Sequence, residues 1–239
     1  MTAIAPARDI HAEYAALQDA YDAEEAALRA KGFTVAPKCT SDWLAFMRLY
    51  GANTNPSFEP SQAVTAENSL SLICRDPDGQ AVGAIALRAY DMADIREHLV
   101  TGRLWWPAHE AIQHRVEYVL PGDFPPISGR VVQIGGLKVV RNGHRIGSHL
   151  DAMARLAAAS LFHADHIVAI RMSDKVAEMP GDYYGARRTA LAVRALSIGC
   201  PAAEFHLTHI SREELLGGLM DGGDDDVLDA AHIVGYAGY

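Results

Sequence analysis

The sequence predicts an α/β fold, and three observations carry that expectation. Residues Gly129 to Ser173 read as a strand, a glycine-containing loop, an amphipathic helix and a second strand. Ser69 to Arg75 and Ala81 to Tyr90 read as two strands, joined across the turn sequence Asp76-Pro77-Asp78-Gly79. Apolar side chains recur at helical spacing through the first fifty residues. With 49% apolar residues in a chain of 239, there is enough material for a core, and disorder is excluded.

In chain order, Ile10 to Lys31 is expected to be helical, with Tyr14, Leu17, Tyr21 and Leu28 on one face and Gly32 as its stop. A second helix is expected over Ser41 to Tyr50, with Ser41 as N-cap and Trp43, Phe46, Met47 and Tyr50 inward. Gly51 to Asn68 is rich in turn formers and reads as loop. The hairpin follows, and then a long connection from Asp91 to Ser128 that carries Trp105, Trp106 and several prolines. After the unit at Gly129 to Ser173 come a tyrosine-bearing segment, strands over Thr189 to Ser197 and Glu204 to Ile210, and a helix from Arg212. There is no internal repeat and no interdomain linker, so a single domain over 1–239 is expected. It has a helical extension over about 1–65 and an insertion at about 91–128.

The formal net charge of −9 argues against a nucleic-acid partner, which calls for a basic surface. No apolar run reaches the length of a membrane span. The first residues lack the basic-then-apolar form of a signal peptide, and Cys39, Cys74 and Cys200 match no zinc or redox spacing. A cytoplasmic protein with reduced thiols and no metal is expected. His206 and His209, three apart on a strand, face opposite sides and do not share a metal. The acidic run Asp221, Asp224, Asp225 and Asp226 reads as a solvated loop.

Against the acidic background, Lys138, Arg141, His144, Arg145 and His149 form a basic island around the glycine loop. That loop opens a helix, whose first amides and dipole favour an anion such as a diphosphate. No phosphate-binding pattern of the ATPase or dinucleotide type is present.

The element order and the Asn142-Gly143-His144-Arg145-Ile146-Gly147 loop after the strand Val131 to Val140 resemble the GCN5-related N-acetyltransferase (GNAT) superfamily, over roughly Ser69 to Ile210. The resemblance implies a mixed, mostly antiparallel central sheet flanked by helices. It implies acetyl-CoA or another acyl-CoA as cosubstrate, with the pyrophosphate on the amides of Asn142, Gly143, His144, Arg145, Ile146, Gly147 and Ser148. The pantetheine arm would lie along the strand edge at Leu137, Lys138 and Val139. Two departures stand out: Asn142 replaces the family's Gln or Arg, and Arg145 replaces the first glycine of its pair.

Acyl transfer from a thioester to an amine requires a polarised carbonyl, a deprotonated amine and a protonated leaving thiolate. A backbone N–H near Leu137 or Lys138 is the expected polarising group, and Gly135-Gly136 is a candidate bulge that splays the strand from its neighbour. By the same resemblance Tyr184, then Tyr183, is the candidate acid. The base is less defined: Gln133 stands where the family often has glutamate, leaving Glu117 and His114 as candidates. Trp105 and Trp106 are candidates for an acceptor pocket, or for anchoring the insertion to the core or to a second copy in a homodimer. The expected activity is N-acetyl transfer to a small-molecule amine in a ternary complex. The alternatives are an N-acyl amino acid or acyl-homoserine-lactone type of synthase fed by acyl carrier protein, and a catalytically silent acyl-CoA-binding fold.

Overall fold

The computed structural model describes residues 9–61, 63–105, 115–141, 143–172, 187–196 and 203–220. Helix α1 spans Ile10–Arg29, and its N-cap Asp9 accepts hydrogen bonds from the amides of His11 and Ala12. Strand β1 (Thr34–Lys38) leads into α2 (Thr40–Leu49). A 3-10 turn at Pro56–Phe58 precedes β2 (Ser69–Arg75) and β3 (Ala81–Met92). The connection that follows holds α3 (Ile95–Val100) and β4 (Arg115–Tyr118). Then come β5 (Gly129–Val139), α4 (Ile146–Leu161) and β6 (His166–Met172), and finally β7 (Arg188–Leu196), β8 (Ala203–Ser211) and α5 (Arg212–Met220).

The strands form one sheet in the order β1-β2-β3-β5-β6-β8-β7-β4. Only β5 and β6 are parallel, joined by the crossover helix α4; the other neighbours are antiparallel. This is the mixed, mostly antiparallel sheet flanked by helices that the sequence implied. The Asp76 carboxylate accepts from the amides of Asp78 and Gln80, and Gly79 takes a φ of 78°, which closes the expected hairpin.

Helices α1, α4 and α5 share one face of the sheet. Ile146, Leu150, Met153 and Ala157 of α4 point at Leu72, Ile85, Val132 and Ile134. Full burial of each large aliphatic chain contributes about 1.5–3 kcal/mol. The alanines of α4 favour the helix and keep it thin enough to lie buried under α1. The opposite face carries two clusters, one around Trp43, Phe46, Met47 and Phe58, the other around Leu99, Leu104, Trp105 and Leu207.

Four features depart from the sequence reading. The N-cap of α2 is Cys39 rather than Ser41, and Cys39 makes no side-chain cap; its thiol donates to Asp42 at 2.8 Å. Strand β1 falls between the two expected helices, where the sequence reading placed no element, and the 3-10 turn lies in the expected loop. The insertion contains α3 and β4, so it is partly ordinary secondary structure. No helix among the described residues is long and apolar enough to cross a membrane.

Candidate active site

The sheet opens where β5 and β6 part. Their parallel pairing runs only from Val131 opposite His166 to Ile134 opposite Ala169, although β5 continues to Val139 and β6 to Met172. On its other side β5 stays paired with β3 as far as Val139. Among the described residues, 135–139, about 16 Å of strand, therefore have no strand partner on their β6-facing edge.

A bulge marks the point of separation. Ala86 faces Gly135 and Ala84 faces Lys138, so β5 carries one extra residue there. Gly136 takes a left-handed φ of 60°. A Cβ on Gly136 would stand inside the Trp43 indole, and one on Gly135 would reach 3.1 Å from the Phe58 ring. Only glycine fits both the torsion and the space at position 136. The Trp43 indole N–H donates to the Gly136 carbonyl at 2.9 Å. The Gly135-Gly136 pair thus marks a bulge and the start of the splay, as expected.

Just beyond β5, Gly143, His144 and Arg145 take φ values of 85°, 61° and 56°. Two consecutive non-glycine residues in the left-handed region carry strain that the surroundings must offset. Arg145 is the N-cap of α4 and supplies no side-chain cap, and the first turn holds no acidic residue. The first amides of this sixteen-residue helix therefore receive no bond from the N-cap side chain, and no acidic residue in the first turn offsets its dipole. Gly147 leaves room there: a Cβ would meet Val139 and Leu137 at ordinary contact, 3.6 and 3.7 Å.

Helix α1 braces the loop. The Lys31 ammonium donates to the His144 carbonyl at 3.1 Å and lies 2.9 Å from His149 Nε2. An ammonium only donates, so Nε2 accepts and the His149 Nδ1–H donates to Glu24 at 2.5 Å. The Phe33 ring packs 5.0 Å from that of His144. Arg141 pairs with Asp76 at 3.1 Å. Of the basic island, Arg141 and His149 thus have carboxylate partners within the fold.

Other sequence candidates fall elsewhere. Gln133 is buried; its amide donates to the Leu104 carbonyl at 3.0 Å and accepts from the Tyr90 hydroxyl at 3.1 Å. Burial pushes the Tyr90 phenol up to about 12, against the opposing pull of Arg88, so the pair is a neutral structural bridge. Glu117 lies on β4 at the far edge of the sheet, 3.7 Å from Arg194. Four strand spacings, about 19 Å, separate β4 from β5. The structure therefore does not bring Glu117 to the open edge. Trp105 is buried with its ring 5.0 Å from Phe205, so it anchors the connection instead of lining an open pocket. Ile146 and Ser148 are buried in the first turn of α4, Leu137 and Val139 pack against the α4-side core, and Lys138 is half-buried. Asn142, Trp106, His114, Tyr183 and Tyr184 lie outside the described residues.

His206 and His209 lie on opposite faces of β8, opposite Arg171 and Val168 of β6. Among the described residues no group of three or more metal-ligating side chains comes together. Two surface cavities of about 560 and 500 Å³ share Ala66, Ser69 and Leu70, at the end of the sheet away from the loop.

No family model matches the sequence, and no curated protein does. Among solved structures, the chain is similar to a dodecameric spermidine N-acetyltransferase from Vibrio cholerae, with 8% identity and a TM-score of 0.48 over 81% of this chain and 99% of that one. It is also similar to NAA60 from Arabidopsis thaliana in complex with acetyl-CoA, at 12% identity and a TM-score of 0.42, covering 76% of this chain and 99% of that one.

Proposed function

We propose that this chain is an acyl-CoA-dependent N-acyltransferase of the GCN5-related type, moving an acetyl group from CoA to a small-molecule amine within a ternary complex. The observation that carries this reading is the strand edge left open at 135–139, beside the uncapped, left-handed entry to α4. The edge offers backbone donors and acceptors to the amide-bearing pantetheine arm. The helix entry offers amides to the pyrophosphate, and the two are consecutive in the chain. Lys138 and Arg145 add positive charge at that end, on a chain of net charge −9.

In the reaction the amine nitrogen attacks the thioester carbonyl carbon. The new C–N bond forms, the C–S bond breaks, and the electron pair leaves with sulfur. The nitrogen gives up a proton and CoA leaves as a thiol once its sulfur is protonated. Tyr184, with Tyr183 as second choice, is the proposed donor of that proton.

Calorimetric titration of the protein with acetyl-CoA, CoA and a long-chain acyl-CoA tests the reading. Micromolar acetyl-CoA binding supports it and opens a screen of amine acceptors. Preference for the long chain moves the donor class, and no binding to any of the three removes the reading.

A further inference from the structure

We infer that Trp43 is a positioning residue for the acyl carbonyl: its indole draws the Gly136 carbonyl off the open edge of β5, so that the Gly136 N–H faces the cleft without its own carbonyl beside it. This role presupposes the N-acyltransferase reading.

The backbone directions follow from the pairing of β5 with its two neighbours. Arg130 receives a bond at its carbonyl from the Asp165 amide and donates its own amide to the Asp165 side chain, so both its polar groups face the β6 side. By antiparallel alternation Val131, Gln133 and Gly135 then direct theirs toward β3. From the other end, the Val140 amide donates to Val82, so Lys138 faces Ala84 in the same way. The Lys138 N–H therefore points at β3, and the donor expected near Leu137 and Lys138 shifts to the bulge.

Peptide bonds are trans throughout the described chain, so the N–H of one residue opposes the C=O of the residue before it. Gly135 turns its carbonyl to β3, which turns the Gly136 N–H to the β6 side, two residues past the last paired position. In a regular strand the Gly136 carbonyl would lie on that same edge and repel an incoming oxygen. Here the left-handed torsion swings it onto the Trp43 indole at 2.9 Å, and the Leu137 N–H turns the opposite way. Trp43 is fully buried and held edge-on to Phe58 at 5.7 Å, so the donor does not wander. A bulge alone would leave this peptide able to rotate. The indole fixes it, giving a preorganised N–H at the point where thioester charge develops.

The test uses acetyl-CoA carrying carbon-13 at the thioester carbonyl, which needs no knowledge of the acceptor. The wild-type protein and Trp43→Phe are titrated and the carbonyl resonance of the bound ligand is recorded. The replacement of residue 43 by benzothienylalanine, which keeps the bicyclic shape and deletes only the N–H, serves if Trp43→Phe does not fold. The expected result is a downfield shift in wild type that is largely lost in the variant, with the dissociation constant changed less than about 3-fold. Against the best amine from the screen, kcat falls about 10-fold or more while KM holds, because one oxyanion donor is worth roughly 100-fold or more and here it is loosened, not removed. An unchanged resonance and unchanged kcat in a folded variant overturn the role of Trp43 and leave the acyltransferase reading standing. Failure of wild type to bind acetyl-CoA overturns both.

Discussion

The Lys31 ammonium donates to the His144 carbonyl at 3.1 Å, tying the end of the first helix to a loop 113 residues later. His144 and its neighbour Arg145 both sit in the left-handed region, where a non-glycine residue is held only by its surroundings. The same ammonium reaches His149, which is fixed in turn by Glu24. This brace keeps the helix entry in the shape that presents its amides.

Lys31→Met should therefore weaken acetyl-CoA binding about 5-fold, the effect of roughly one hydrogen bond, without lowering the melting temperature by more than a degree or two. Lys31 is exposed, so its loss leaves no buried cavity. Calorimetry on the folded variant checks this. Unchanged affinity would mean that the loop holds its conformation without the brace.

Gly147 separates steric access from folding. A methyl group at 147 meets Val139 and Leu137 at 3.6 and 3.7 Å, so Gly147→Ala should fold at least as well as wild type. Alanine is also favoured over glycine in a helix by up to about 1 kcal/mol. Gly147→Trp should fold too, yet lose acetyl-CoA affinity by at least about 10-fold, because its bulk covers the amides of the first turn. Full affinity in that variant would take the helix entry out of the cofactor site.

Much of this site was legible in sequence because it is local. The α4 face repeats near every 3.6 residues, β5 carries a glycine pair at 135–136, and both signals lie within one stretch of about forty-five residues. What escaped is either short or long-range. Strand β1, Thr-Val-Ala-Pro-Lys, has a proline and no alternation to report it, and it holds its place by pairing with β2. Cys39 stands at the N-cap of α2 because of chain geometry, where Ser41 carried the better capping chemistry. The Trp43–Gly136 and Lys31–His149 contacts span 93 and 118 residues, which no window can register. Glu117 was a reasonable carboxylate until the sheet order put its strand at the far edge.

Tyr184→Phe should lower kcat about 100-fold while changing the acetyl-CoA dissociation constant less than 2-fold, the signature of a lost proton donor. Tyr183→Phe is the comparison, and it should retain most of the turnover. A reversed pattern would assign the proton to Tyr183, and full turnover in both variants would leave the thiolate to be protonated by solvent.

Between pH 4 and 6 two buried groups should pull the stability in opposite directions. Burial pushes His209 down to about 4, helped by His166, whose ring nitrogen lies 3.0 Å away, and by Arg188, with Glu214 pulling the other way. A histidine with a lowered native pKa gives stability that is present above about 6.5 and is lost as pH falls toward 4. Burial pushes Asp151 up to about 6 despite its ion pair with Arg155 at 3.1 Å, and Glu24 adds to the rise. A carboxyl raised in the native state acts in the opposite sense: its contribution is full below about 3.9 and is lost as pH rises through 6. The two contributions therefore oppose each other over their shared range. Urea unfolding at pH 4, 5, 6 and 7 measures this directly. Asp151→Asn should unmask a loss of stability on acidification, and His209→Gln should unmask a gain. If both variants keep the wild-type profile, neither group titrates with folding. A steep wild-type profile with Asp151→Asn unchanged would mean that Arg155 holds the carboxylate charged across the whole range.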